Sequence, residues 1–301
     1  MDPMAIAFIA FFVLLLMGIP ITFVLGITAV LAFLMKQELM FLSLVPQRMF
    51  AGLNLFTIMA IPFFLLAAEL MTLARITDDL VRFADALVGR LKGGLAHVNV
   101  LASAFFAGIS GSAISDVAGL GSIEIKAMTK AGYPKPFAAA LTVASSLIGP
   151  IIPPSIIMVL YGSIMQVSIA AMFLGGIVPG LLMVVMLMTM VWWMADRQGF
   201  PRRVEPLAPG EFGRATRSAI LALLMPAIIL GGILSGVFTA TEAAAVAVAY
   251  AFLIGFVVKR TLDLKTVPPM LVRVAILTSV VFMVLATANI LAWIIGLERI
   301  P

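Results

Sequence analysis

Two polar interruptions in otherwise apolar sequence hold the residue types that could do chemistry. One is Ser110-Gly111-Ser112-Ala113-Ile114-Ser115-Asp116; the other runs from Ser145-Ser146 to Gly149-Pro150-Ile151-Ile152-Pro153-Pro154. Their hydroxyls, a carboxylate and the carbonyls freed where a helix breaks are oxygen ligands, which hard cations prefer. Proline removes a backbone donor and clashes with the preceding turn, and serine and glycine favour caps and turns. In a bilayer, opened backbone is tolerated only where protein or a water-filled cavity satisfies it. Gly/Pro-interrupted apolar segments are therefore the sequence mark of a transporter site. One proline suffices for a kink, whereas Pro150, Pro153 and Pro154 together open several carbonyls. This favours a functional unwinding flanked by Ser145, Ser146, Gly149, Ile152 and Pro153, with half-helix N-termini facing an anionic substrate and carbonyls facing sodium. Ser110, Gly111, Ser112, Ser115 and Asp116 read together as a second ion or substrate element. For Asp116 by itself the preferred reading is plainer: Ser112 or Ser115 caps the second half-helix, whose dipole favours the carboxylate.

Other polar residues receive structural readings. Glu124, near Lys126 and Lys130, reads as a helix-end residue, Glu242 as an N-terminal helix charge, and Glu69 as reaching the interface. His97 reads as a structural hydrogen-bonding residue rather than a proton relay. Asn99 and Asn289 suit helix–helix contacts. Tyr161, Trp192 and Trp193 suit interfacial belts.

Composition sets the class. Of 301 residues, 63% are hydrophobic and 11% charged, against roughly 25% charged in soluble domains; mean hydropathy is +1.21. The fold class is an all-α multi-spanning membrane protein. The formal charge of +5 does not point to nucleic acid, because Lys and Arg sit at helix ends. Without cysteine there is no disulfide, thiolate site or cysteine nucleophile, and one histidine argues against a transition-metal site. No serine is paired with a base and no HExxH pattern occurs, so no catalytic residues are assigned and an intramembrane enzyme is not favoured.

The elements that must position the two interruptions follow in order. The N-terminus lacks the basic region of a cleaved signal peptide and reads as the start of the first membrane helix. Met4–Met35, with Gly18-Ile19-Pro20 at its centre, is one kinked span or two short ones. Phe41–Phe50 is an interfacial segment, and Leu53–Leu73 a span containing Pro62. Residues 75–92 form an amphipathic helix in the interface. Residues 93–131 form a re-entrant hairpin with basic flanks, 136–165 a broken helix, and 169–194 an unbroken span. Residues 195–217 are a polar loop with five arginines; spans follow at 218–234, 239–258 and 268–295. The segments 75–92, 126–135, 195–217 and 259–273 hold sixteen of the nineteen Lys and Arg, which places them in the cytoplasm. A faint repeat aligns Ile21-Thr22 and Leu31–Leu34 with Ala240-Thr241 and Tyr250–Leu253 at one constant offset. It divides the chain into a first repeat, 1–194, with scaffold helices at 4–74, and a partial second repeat, 218–301, joined by the 195–217 loop.

At these residues a family resemblance enters. The segment SGSAISDVAGLGSIEIKAMTKAGYPKPFAAALTVASSLIGPIIPPSIIMVLYG and the later GVFTATEAAAVAVAYAFLIG resemble the large membrane (M) subunit of tripartite ATP-independent periplasmic (TRAP) transporters. The resemblance runs over essentially the whole chain. It implies an inverted-repeat, elevator-type permease in the bacterial inner membrane that imports small organic acids, C4-dicarboxylates or sialic acid, by sodium symport. The implied partners are a small TRAP membrane subunit, a periplasmic substrate-binding protein, the lipid bilayer and a small anionic substrate; Na+ is the coupling ion, with no other cofactor and no nucleic acid. Family members continue beyond the point corresponding to Pro301, through a second hairpin and broken helix. The expectation is thus a C-terminally truncated chain or fragment, inactive alone. A channel would share re-entrant elements; a membrane scaffold gives no reason for two interrupted helices.

Overall fold

The computed structural model describes residues 3–37, 39–202 and 210–298. The described residues are helical with no strand. They fall into two compact units, 1–58 with 275–301, and 59–274.

In the first unit, helices α1 (Pro3–Leu16) and α2 (Ile21–Met35) are separated at Met17–Pro20, so the first apolar run is two short helices. Gly18 turns the chain with φ +77° and Pro20 starts α2. Met4 and Ala7 share a core with Ala29, Ala32 and Phe33, which folds α1 back along α2. At ~1.5 Å per residue each is about 21–23 Å long, shorter than a ~30 Å hydrocarbon layer. Two short helices follow, α3 (Leu39–Leu42) and α4 (Val45–Leu53). Asn289 presses on Gly52, and Arg48 stacks 4.7 Å from the Trp293 ring.

The second unit opens with a 3₁₀ turn, Phe56–Met59 beginning just before its boundary, that leads into α5 (Ala60–Leu73). Next comes α6 (Ile76–Val88), which is amphipathic because Ile76, Leu80 and Ala84 recur at helical spacing and are buried. Its apolar face lies on α7 (Gly94–Ser110) and on α13 (Glu211–Leu234). Phe83 meets Phe105 at 5.5 Å. Asp79 of α6 pairs with Lys259 and accepts from Ser218 Oγ at 3.0 Å. Following α7, the chain reverses into α8 (Ala113–Asp116), a π-helical turn (Val117–Gly121) and α9 (Ser122–Lys130). The broken helix is α10 (Lys135–Ser146) and α11 (Ile156–Met165). A long helix, α12 (Ile169–Gln198), buries Val184, Val191 and Ala195 in one core with Ala96, Val100, Leu141 and Ile148. The last helices are α14 (Ala240–Leu253), continued by a π-helical turn (Ile254–Val258), and α15 (Val267–Leu297), which begins in the second unit and belongs to the first from residue 275 on.

The polar stretch 195–217 is not wholly a loop. Helix α12 runs on to Gln198 and α13 begins at Glu211, while 203–209, with Arg203, lie outside the described residues. The reason is packing: Ala195 is buried, and Lys92 binds Asp196 at 2.6 Å. Among the described residues, five stretches are long and apolar enough to cross a membrane: Phe56–Leu73, Ile169–Gln198, Glu211–Leu234, Ala240–Val258 and Val267–Leu297. The protein is an all-α, multi-pass membrane protein.

Candidate functional site

The two interruptions meet inside the second unit. Helix α7 ends at Gly111, whose left-handed backbone (φ +60°, ψ +16°) closes the last turn by donating to Ala107 O at 3.1 Å. Ser112 is extended and caps α8, its Oγ accepting from Ser115 N at 3.4 Å. The second interruption spans 147–155. Ser155 caps α11 by accepting from Met158 N at 3.3 Å and donates to Pro150 O at 2.6 Å. One backbone bond joins the two interruptions, Ile156 N donating to Gly111 O at 3.3 Å. Contact reinforces it: a β-carbon at Gly149 would stand 3.1–3.2 Å from the Ser112 carbonyl.

The junction is rich in unused acceptors. Among the described residues no hydrogen bond is made to the carbonyls of Ser110, Gly149, Ile151 or Ile152. Ser110, Ser145 and Ser146 are buried. Ser146 donates to Val143 O at 2.8 Å, leaving its lone pairs as acceptors. Asp116 is 1% exposed and neither carboxylate oxygen has a hydrogen-bond partner. The cap belongs to Ser112, so Asp116 sits one turn inside the half-helix. A buried carboxylate and unpaired carbonyls each cost free energy, and a bound cation would relieve both.

Behind the junction a polar seam joins α7 to α10. Asn99 Nδ2 donates to Thr142 Oγ1 at 2.7 Å; Ser145 Oγ lies 2.8 Å from Asn99 Oδ1; and Ser103 Oγ reaches Ser145 Oγ at 3.1 Å. This seam fixes the rotation of the two first halves against each other. Asn99 and Ser145 stand out in the sequence, whereas Ser103, Thr142 and Ser155 gain their roles only in the fold. The sequence signal for Ser103 is spacing: positions 99, 103 and 110 fall on one helical face.

The remaining polar residues divide. Glu242 forms a capping box with Thr239, accepting from its backbone N at 2.8 Å while Thr239 Oγ1 accepts from Glu242 N at 3.3 Å. Glu69 pairs with Arg273 at 2.7 Å. Glu124 falls in the first turn of α9, as a helix-end residue, but it is buried: 4% exposed, with neither oxygen hydrogen-bonded. His97 is buried, 2% exposed, at the start of α7, with the Lys92 backbone as its polar neighbour. Tyr161, Trp192 and Trp193 are about half exposed, as belt residues require, and Arg197 stacks 3.9 Å from Trp193. A cavity of about 430 Å³ lined by Arg82, Asp85, Tyr133 and Arg202 lies at the base of the hairpin, away from both interruptions.

A helical hairpin interlocked with a broken helix, in a chain of apolar spans, suits a carrier or a channel. Comparison with known proteins decides which: the family model described as the tripartite ATP-independent periplasmic transporter, DctM component, matches residues 8–301. The chain belongs to that family. Its members are transporters, not enzymes. The DctM-family chain is 42% identical over 288 residues to the sialic acid TRAP transporter large permease protein SiaM of Vibrio cholerae, covering 96% of this chain and 67% of the relative. It is 35% identical over 302 residues to the C4-dicarboxylate large permease DctM of Rhodobacter capsulatus, covering 96% and 68%. With the sialic acid permease SiaT of Haemophilus influenzae the identity is 37% over 296 residues, covering 98% and 48%. The DctM-family chain thus spans about two thirds of the first two relatives and about half of the third.

Proposed function

We propose that this chain is the large permease of a sodium-coupled TRAP importer for a small organic anion of the sialic acid or C4-dicarboxylate class. The observation that carries the reading is the junction itself, where Ile156 N binds Gly111 O beside unpartnered carbonyls, buried serines and Asp116. Sodium sits towards the carbonyls that end α7 and α10, drawn by Ser110, Ser112, Ser115, Asp116, Ser145 and Ser146. The N-termini of α8 and α11 carry positive dipole ends and are left for the anion. Sodium therefore favours the joined state of hairpin and broken helix, which couples ion binding to closure.

An inverted-repeat elevator organisation fits the helix pairs. The offset that aligns Ile21 with Ala240 matches the first residue of α2 to the first residue of α14. Each is preceded by a partner helix and a glycine with φ near +75°, Gly18 and Gly236. The partners are a small membrane subunit and a periplasmic binding protein. The basic segments, including 195–217, face the cytoplasm of the inner membrane.

The test is uptake in proteoliposomes holding the permease with both partners. A sodium gradient should drive saturable uptake, and Ser112→Ala and Ser146→Ala should each raise the sodium concentration required. Uptake indifferent to the gradient overturns the reading, and ion current without the binding protein would make the protein a channel.

A further inference from the structure

We propose that Gly176 and Gly180 of α12 are positioning residues that hold the second interruption in its cation-binding shape. The proposal rests on the sodium reading above. The interruption carries turn bonds of its own, from Ile148 N to Ser145 O, Gly149 N to Ser146 O, Ile151 N and Ile152 N to Ile148 O, and Ser155 Oγ to Pro150 O, but the carbonyls of Gly149, Ile151 and Ile152 accept nothing from the described residues. Where those carbonyls point is therefore left to what the interruption packs against. That surface is α12. A β-carbon at Gly176 would stand under 3.0 Å from Ile151 O and from Met158 Cε, and one at Gly180 under 3.0 Å from Ile152 Cγ1. Four residues apart, the two glycines share a face. Val184, one turn further, continues that face into the core containing Ile148, with Ile152 packed on it.

Two glycines inside one helix disfavour it relative to alanine, and close backbone approach is what glycine alone permits. At Gly176 the approaching atom is a backbone oxygen and has no rotamer to retreat into. A methyl group there turns the Ile151–Ile152 peptide away from α12. Gly149, only two residues back, rests on the Ser112 carbonyl, so the displacement reaches the hairpin tip. Gly175 supplies the internal control: same helix, adjacent residue, and nothing described within 4 Å of its β-carbon position.

The experiment compares Gly175→Ala, Gly176→Ala and Gly180→Ala in the permease reconstituted with both partners, reading uptake against sodium concentration. In Gly176→Ala the half-saturating sodium should rise about tenfold, as for one displaced ligand to a charged group. Gly180→Ala should give a smaller rise, because the Ile152 side chain can turn, with the maximal rate near wild type. Gly175→Ala should match wild type. A merely structural role would lower the amount of folded permease and the maximal rate without moving the half-saturating sodium. Unchanged half-saturating sodium in Gly180→Ala, which decides the matter if Gly176→Ala does not fold, overturns the proposal; so does an equal shift in Gly175→Ala. Wild-type uptake without sodium dependence overturns the sodium reading, and this role of α12 with it, before any variant is compared.

Discussion

Gly111→Ala tests whether the two interruptions act as one element, and its cost can be worked from contacts. Gly111 has φ +60°, a conformation an L-residue enters at about 1 kcal/mol. Its new β-carbon would stand under 3.0 Å from Pro154 O, with Pro154 C at 3.1 Å and Ile156 N at 3.2 Å. All three are backbone atoms, so relief requires the chain to move, at roughly 1–3 kcal/mol for overpacking. Moving it sacrifices the Ile156–Gly111 hydrogen bond, worth about 1 kcal/mol. The joined state should lose about 3–5 kcal/mol. Gly236→Ala is the matched control: φ is +75° and nothing described lies within 4 Å, so only the backbone term remains. At ~2–4 °C per kcal/mol for chains of this scale, Gly111→Ala should melt at least ~6 °C below wild type and Gly236→Ala within ~4 °C. Thermal unfolding of the purified permease with and without sodium provides the assay, and sodium should stabilise the wild type and Gly236→Ala but not Gly111→Ala. Equal melting temperatures for the two alanine variants would refute the reasoning, because the clash that separates them would then have no consequence.

Asp116→Asn should raise the melting temperature without sodium, since it removes a buried carboxylate that has no hydrogen-bond partner. It should also abolish sodium stabilisation, which for the wild type is about 2.7 kcal/mol at one hundred times the dissociation constant; equal stabilisation of both proteins would exclude Asp116 from the site. Lys259→Met should destabilise by roughly 3–5 kcal/mol, because it strands Asp79 in the interior, and adding Asp79→Leu should recover most of that loss. A double variant as unstable as the single one would mean the pair contributes through shape rather than charge.

What the sequence made legible was its broken places, because their cause is local. Proline at 150, 153 and 154 and the Ser-Gly-Ser at 110–112 deny a helix its bonds wherever they stand, so both interruptions lie where composition put them. Thr239 and Glu242 are similar, since a capping box needs only residues three apart. Glu124 shows what local reasoning leaves out. Its place at a helix end was legible and its burial was not; Lys126, two positions away, lies on the opposite face of the helix. The carboxylate instead faces the interior with Met128, one turn on and equally buried.

Gly176 and Gly180 were illegible for a related reason. A glycine in an apolar run either wastes helix propensity or marks a close approach, and the difference lies in a chain segment 25 to 28 residues earlier. The α12 sequence contains Gly175 as well as Gly176 and does not say which of the two carries a neighbour. Only the rotation of α12 does, and that is set by Val184, Val191 and Ala195 entering the core shared with α7 and α10. The polar seam of Asn99, Ser103, Thr142 and Ser145 fixes those two helices against each other. The position of the unwound carbonyls is therefore determined from two sides, by hydrogen bonds from α7 and by steric contact from α12. A segment held in this way can leave its acceptors unpaired without losing their geometry, which the proposed sodium site requires.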